Sequence, residues 1–273
     1  MKWMIRVDME GVTGVVDMKQ VVPGADEYAF GQAMMMHDLL AVIEGLLQSE
    51  QDEVWLYDIH FAGRNVDLRR LDRRVRAICG KPHYAPDNEA YLGEGFDGMI
   101  LLGLHAKYGQ TDALLHHNYE HDIRQIVVRG REGSLDVGEI GLEALMAGEA
   151  EVPLVMVTGD SAGCAEALEL LPDTIAVSVK QSLGETAAVC YPPAVTARLL
   201  KESAGRCAEV APKLAPFKLT GPIELELAFT AGALLSKLQE RLRTDARWIG
   251  ADRLVLFGDT VIEAWHQYLR AKS

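Results

Sequence analysis

The chain has 273 residues, of which 49% are hydrophobic and 25% charged, enough to bury one large core or two modest ones. Its 40 acidic and 27 basic residues give a formal net charge of -13. That balance argues against nucleic acid as a partner, because phosphate binding needs clustered Lys and Arg.

Trp3-Met4-Ile5-Arg6-Val7 is a short apolar run bounded by turn residues, as a buried strand is. It delivers Asp8, Glu10 and then Gly11. In extended backbone, residues two apart point the same way, so the two carboxylates project together. They repel, and a shared proton, an arginine or a metal would offset the repulsion. Acidic residues also end strands simply as turn formers. A glycine-containing loop, 11–24, precedes a helix expected over 26–49, with Met35, Leu39, Val42 and Leu46 on one face. Residues 53–57 read as the second strand, ending in Asp58-Ile59-His60. Residues 66–77 read as a charged helix, its arginine cluster a solvated face. Residues 98–104 are apolar throughout and read as a third strand, buried on both faces and ending at His105.

A polar loop, 107–113, leads to Leu114-Leu115-His116-His117-Asn118-Tyr119, and 124–128 alternates like a strand. After a turn at 129–133, residues 135–139 lead into a helix with Ile140, Leu142, Leu145 and Met146 apolar. Strand 152–158 follows, and Gly159-Asp160-Ser161 offers a cap for a helix over 162–171. Strand 174–179 ends at Lys180, and Pro192-Pro193 starts a helix running to about Val210. A half-exposed strand over 223–230, a helix over 231–242, a short strand over 254–257 and a last helix over 259–271 complete the chain.

Strands alternating with helices predict an α/β fold: a mainly parallel sheet flanked by helices and carrying the site, with a smaller α/β C-terminal lobe. The division is expected near residue 172, giving units 1–172 and 173–273. No apolar stretch approaches the ~18 residues of a membrane span, and no charged-then-apolar leader is visible. A cytoplasmic protein with no membrane partner is therefore expected. The four cysteines, Cys79, Cys164, Cys190 and Cys207, form no CxxC pair, which suits a reducing compartment and buried thiols. Cys190 reads as a core or strand-end residue rather than a nucleophile.

Asp8 with Glu10, His60, His105 and Glu139 all fall at strand or helix ends. In parallel α/β sheets ligands collect at the carboxyl ends of strands, so these residues can meet. Two imidazoles and three carboxylates suit zinc, or manganese or cobalt, rather than thiolate-preferring ions. Five side chains exceed what one tetrahedral zinc with an open position needs. With one carboxylate bridging they suit two ions ~3.5–4 Å apart, and Asp8, directly at the strand end, is the bridge. Singly, each has a plainer reading: a hydrogen-bonded structural histidine, or a Glu139 that serves the helix dipole. His116 and His117 are candidates for a base, an acid or an oxyanion donor, or else a solvated loop pair. His37, His83, His121 and His266 are read as structural or solvent-facing.

Val7-Asp8-Met9-Glu10-Gly11-Val12-Thr13-Gly14 resembles the opening motif of the DppA family of D-aminopeptidases, peptidase family M55. Asp58-Ile59-His60, Leu102-Gly103-Leu104-His105-Ala106, Val137-Gly138-Glu139-Ile140-Gly141-Leu142, Gly159-Asp160 and Val179-Lys180-Gln181 continue the match in the family's order. The resemblance implies a dinuclear zinc aminopeptidase with two Zn2+ per subunit. One zinc would be held by Asp8, Glu10 and His60, the other by Asp8, His105 and Glu139. The family's additional catalytic histidine falls on His117. The sequence departs from the pattern at His116 and Asn118, which leaves His116 as second choice. Lys180 is a weaker candidate for contact with a substrate carbonyl or carboxylate, or else a structural ion pair. The resemblance further implies a short peptide substrate, its N-terminal residue a D-amino acid such as D-Ala, and a homo-oligomer of two stacked pentamers. Rival readings are another metal-dependent hydrolase (an L-aminopeptidase, an amidase or a phosphoesterase) and a non-enzymatic peptide-binding protein linked to transport.

Overall fold

Asp8 lies at the mouth of a parallel sheet because three neighbouring strands end in register beside it. β1 (Lys2–Val7) runs parallel to β2 (Glu53–Asp58) on one side and to β4 (Gly98–Leu104) on the other, with Val7 facing both Asp58 and Leu102. β3 (Val75–Ile78) extends the sheet beyond β2. The computed structural model describes residues 1–81, 85–243 and 246–273; His83 lies outside the described residues.

The remaining elements follow the chain. α1 (Tyr28–Leu46) precedes β2. β5 (Ile123–Gly130) and β6 (Gly133–Val137) form a hairpin, and α2 (Glu139–Glu149) follows. β7 (Leu154–Asp160), α3 (Ser161–Leu170), β8 (Ile175–Ser182), β9 (Ala188–Cys190), α4 (Pro193–Gly205) and α5 (Cys207–Val210) come next. β10 (Ile223–Phe229), α6 (Ala233–Arg241), β11 (Arg247–Ile249), β12 (Arg253–Gly258) and α7 (Val261–Lys272) close the chain.

Two sheets result. The first has the order β3-β2-β1-β4-β7-β8-β9 and is parallel except for the β8–β9 hairpin. The second has the order β11-β12-β10-β5-β6 and is antiparallel throughout. The α/β class with a mainly parallel sheet is as expected. The second sheet, however, takes two of its five strands from the middle of the chain, and residue 172 falls between β7 and β8, neighbours in the first sheet.

One face of the first sheet packs on α1 and α4, burying Met35, Leu39, Val42 and Leu200 with Ile5, Val7 and Leu102. The other face packs on α2 and the second sheet, burying Met99, Leu101, Ile140 and Leu145 with Leu225 and Leu227. Sandwiched between these layers, β4 is buried along its whole length.

Three readings of the sequence are corrected. Residues 66–77 do not form the expected helix; only Leu68–Arg70 make a single 3-10 turn. Asp67 and Asp72 each bond the backbone and side chain of the arginine two residues on, forming turns, and the segment ends in β3. Short polar side chains of this kind compete with helix for the backbone. Residues 135–137 belong to β6 rather than to the approach to α2. β10 is buried rather than half-exposed, because it is the central strand of its sheet. Cys190 is at a strand end but exposed, as is Cys79, whereas Cys164 and Cys207 are buried.

Candidate metal centre

The loop that leaves β1 presses against the end of β4. Gly11 donates to the Gly103 carbonyl at 2.7 Å, and a Cβ on Gly11 would meet the Leu104 carbonyl oxygen at 1.9 Å. Only glycine permits that approach. Gly103 itself sits at φ +75, where the pairing of β4 with β7 slips. The local kink brings Asp8, Glu10 and His105 together.

Asp8, Glu10, His60, His105 and Glu139, which come from five separate positions in the chain, converge. All five are buried, at 1–6% exposure. Asp8 reaches both histidines with different oxygens: Oδ1 lies 2.8 Å from His60 Nδ1 and Oδ2 lies 3.7 Å from His105 Nε2. Glu10 Oε2 lies 3.2 Å from His60 Nδ1, and Glu139 Oε1 lies 3.5 Å from His105 Nε2. Ligand atoms of Asp8, Glu10 and His105 fall within 4.8 Å of one another, and so do those of His105, His117 and Glu139.

The imidazoles are oriented from behind. His60 Nε2 bonds the Val21 carbonyl at 2.7 Å, His105 Nδ1 the Ala106 carbonyl at 3.0 Å, and His117 Nδ1 the Leu115 carbonyl at 2.9 Å. A carbonyl oxygen only accepts, so each of these nitrogens carries the proton. The opposite nitrogen of each neutral ring then presents a lone pair to carboxylate oxygen. Two acceptors face each other stably only with a proton or a cation between them. Glu10 Oε2 and His105 Nε2 are buried without a hydrogen-bond partner. Backbone-anchored imidazoles turned onto carboxylates are the arrangement that metal-ligating histidines adopt.

The electrostatics agree. Burial and the adjacent Glu10 charge push Asp8 up to about 6. Burial works to lower His60, but Glu10 and Asp8 override it and hold the ring up to about 12. Burial likewise opposes protonation of His105, and Glu139, Glu10 and Asp8 hold it up to about 10. Arg6, the arginine nearest in sequence, is engaged by the buried carboxylate of Glu143. The cluster thus attracts positive charge strongly, and its nitrogen and oxygen donors fit zinc.

His117 stacks on His105 with ring centroids 4.1 Å apart and places Nε2 3.8 Å from Glu139 Oε1. Leu115 and Tyr119, at φ 50 and 44, bracket it in left-handed backbone that non-glycine residues seldom adopt. The Tyr119 amide donates to Glu139 Oε1 at 2.7 Å. His116 points elsewhere: its Nδ1 accepts from the Gly109 amide at 3.1 Å and its ring meets Tyr108 edge-on. Geometry therefore favours His117.

Two sequence readings change. Lys180 does not reach the cleft. It is fully buried, and its ammonium donates to the carbonyls of Glu10, Val12 and Val15 at 2.5–2.8 Å, fastening the loop after β1. His121, set aside in the sequence, stacks on His117 at 4.5 Å and lines the cleft. The available signal was density: four of the eight histidines fall within 105–121. The cleft over the centre holds about 360 Å³.

A family model described as D-aminopeptidase matches residues 1–264. The chain is 32% identical over 224 residues to a D-aminopeptidase of Bacillus subtilis (strain 168), covering 81% of this chain and 78% of that protein. The solved structure of the Zn-dependent D-aminopeptidase DppA from Bacillus subtilis, described as a self-compartmentalizing protease, is similar with a TM-score of 0.88. At 26% identity, that match covers 100% of this chain and 96% of the other.

Proposed function

Because the chain belongs to the D-aminopeptidase family of peptidases, we propose that it is a zinc aminopeptidase that releases the N-terminal D-residue from short peptides, using two zinc ions per subunit. The observation that carries this reading is the set of three imidazoles, each tied to a backbone carbonyl and turned onto buried carboxylates. One ion is assigned to Asp8, Glu10 and His60, the other to Asp8, His105 and Glu139. Bound zinc supplies Lewis-acid chemistry, polarising a carbonyl and making water acidic enough to attack near neutral pH.

The chain's own groups do the rest. Asp8 divides its two oxygens between the halves of the centre. Glu139 is held by the Tyr119 amide, which fixes which oxygen faces His105. His117 keeps its Nδ1 proton on Leu115 and leaves Nε2 at the cleft. From there it takes a proton from the attacking water, returns it to the leaving amine, and as imidazolium donates to the developing oxyanion.

Assembly as a homo-oligomer, a decamer, is part of this proposal, on the strength of the solved relative's self-compartmentalizing description. So is a cytoplasmic location. No helix among the described residues is long and apolar enough to cross a membrane. The test is elemental analysis of the purified protein with assays on D-Ala and L-Ala dipeptides and amides. Two zinc ions per chain and preference for D-Ala dipeptides are expected. A metal-free protein that hydrolyses these peptides, or a clear L preference, contradicts it. Light scattering of the purified protein reads the subunit number.

A further inference from the structure

The cleft over the centre is lined by Asp8, Glu10 and Glu139 and also by two cations, Lys81 and Lys272, to which the mechanism gives no task. Lys81 donates to the carbonyl of Ile59, the residue before His60, so its ammonium is pinned to the segment that carries a ligand candidate. Its charge is attracted by Asp8 and Glu139 and repelled by Lys272. Lys272 is already paired with Glu120, which also lines the cleft. Lys81 has no carboxylate ion pair among the described residues.

We propose that Lys81, assisted by Lys272, binds the C-terminal carboxylate of a short peptide whose N-terminal end lies at the metal centre. The inference rests on the aminopeptidase reading and names its substrate class: short peptides with a free C-terminus. A zwitterionic peptide has an ammonium at one end and a carboxylate at the other. The cleft offers both kinds of group: the carboxylates of the centre, and two ammonium groups, Lys81 beside the segment that carries His60 and Lys272 beside Glu120. In a chain of net charge -13 the overall field repels anions, so capturing a carboxylate requires a local cation. Size points the same way. The cleft, about 360 Å³, is near the small end of the ~300–1,000 Å³ typical of ligand sites. An adjoining cavity of about 120 Å³ shares Lys81, Glu120 and Lys272 with the cleft and is otherwise walled largely by Tyr57, Trp265, Tyr268 and Leu269. The polar backbone of a longer peptide would lose its water against that aromatic wall.

The test compares D-Ala-D-Ala with its C-terminal amide, using zinc-loaded wild type, Lys81→Met, Lys81→Arg and Lys272→Met. Wild type is expected to favour the free acid by roughly 10–100-fold in kcat/KM, carried by KM, as for a charge-assisted hydrogen bond. Lys81→Met loses roughly that factor on the acid and far less on the amide, Lys81→Arg recovers much of it, and Lys272→Met loses less. Zinc content and melting temperature stay at wild-type values in all three. Equal handling of acid and amide by wild type overturns the assignment, as does a Lys81→Met loss that falls equally on both. Calorimetric binding of the same two peptides separates this inference from its parent. A protein that turns over neither peptide, yet binds the acid more tightly through Lys81, keeps the carboxylate site while the peptidase reading fails. Equal turnover of both leaves the peptidase reading standing and removes the site.

Discussion

At the scale of single residues, Asp8 and Glu10 look alike in sequence and differ in reach. Asp8 faces His60 with one oxygen and His105 with the other, whereas Glu10 faces His60. Asp8→Ala is therefore expected to strip both ions and lower activity beyond the ~10–100-fold typical of losing an outer partner. Glu10→Ala should remove chiefly one; zinc per chain, measured by elemental analysis, distinguishes the two. The paired histidines separate in the same way. His117→Ala should keep its zinc and lose roughly 10²–10⁴-fold in kcat, the usual worth of a positioned acid or base. His116→Ala should leave kcat close to wild type, since its ring bonds a loop amide away from the centre. The reverse pattern in kcat would move the role to His116. The convergence of Asp8, Glu10, His60, His105 and Glu139 was readable because each ends a predicted strand or opens a helix. His121 was not, because its part is a stacking contact that no spacing encodes. Lys180 was misread because a strand-end lysine looks the same in sequence whether it faces solvent or caps buried carbonyls.

Among elements, the loop after β1 positions the centre, and two buried groups hold it. Lys180 satisfies three of its carbonyls, while Asp38 of α1 accepts from the Thr13 amide and hydroxyl at 2.8 and 2.7 Å. Lys180→Met leaves those carbonyls unpaired and should lower stability by about 3 kcal/mol or more, read by denaturant unfolding. Asp38 supplies a pH signature. Burial pushes its carboxyl up to about 6 from 3.8, against the bonds from Thr13 that favour the ion. A carboxyl raised in the folded state gives stability that is full below its unfolded pKa and is lost as pH rises through its folded value. Asp38→Asn removes the titration, so it should gain on wild type between pH ~4 and ~6, by up to about 3 kcal/mol. A stability gap that stays constant across that range would contradict the assignment. The long elements were legible from periodicity: α1, β4 and α7 fall close to their expected ranges. The three-residue strands β9 and β11 were not, since a segment that short shows no period and forms only by pairing with a neighbour.

For the molecule as a whole, the sequence suggested two units in succession, and the chain instead weaves them. The β5–β6 hairpin leaves the first layer to join the second sheet, and β7 and β8 then return to the first. Local patterning cannot report this, because it depends on which distant strand each edge finds. The weave has a consequence for the centre. Glu139 opens α2 directly after β6, so the second sheet helps to set the position of one ligand candidate while β1, β2 and β4 set the others. Three carboxylates that are at most 6% exposed thereby converge from separate parts of the fold. Without bound cations their mutual repulsion opposes folding, offset among the described residues by protonation of the buried imidazoles and by the nearby Lys81 charge. Zinc binding should therefore stabilise the entire molecule rather than the site alone. Free zinc at 100 times its Kd adds about 2.7 kcal/mol per site, about 5 kcal/mol for two, and in a chain of this size that corresponds to roughly 10–20 °C. Chelation should lower the Tm by about that amount, and re-addition of zinc should restore it. Asp8→Ala lacks both the bridging ligand and part of the repulsion, so its Tm should respond little to chelator. If wild type releases its zinc to the chelator, as elemental analysis would report, and yet melts at the same temperature, then the ions do not bind among these carboxylates.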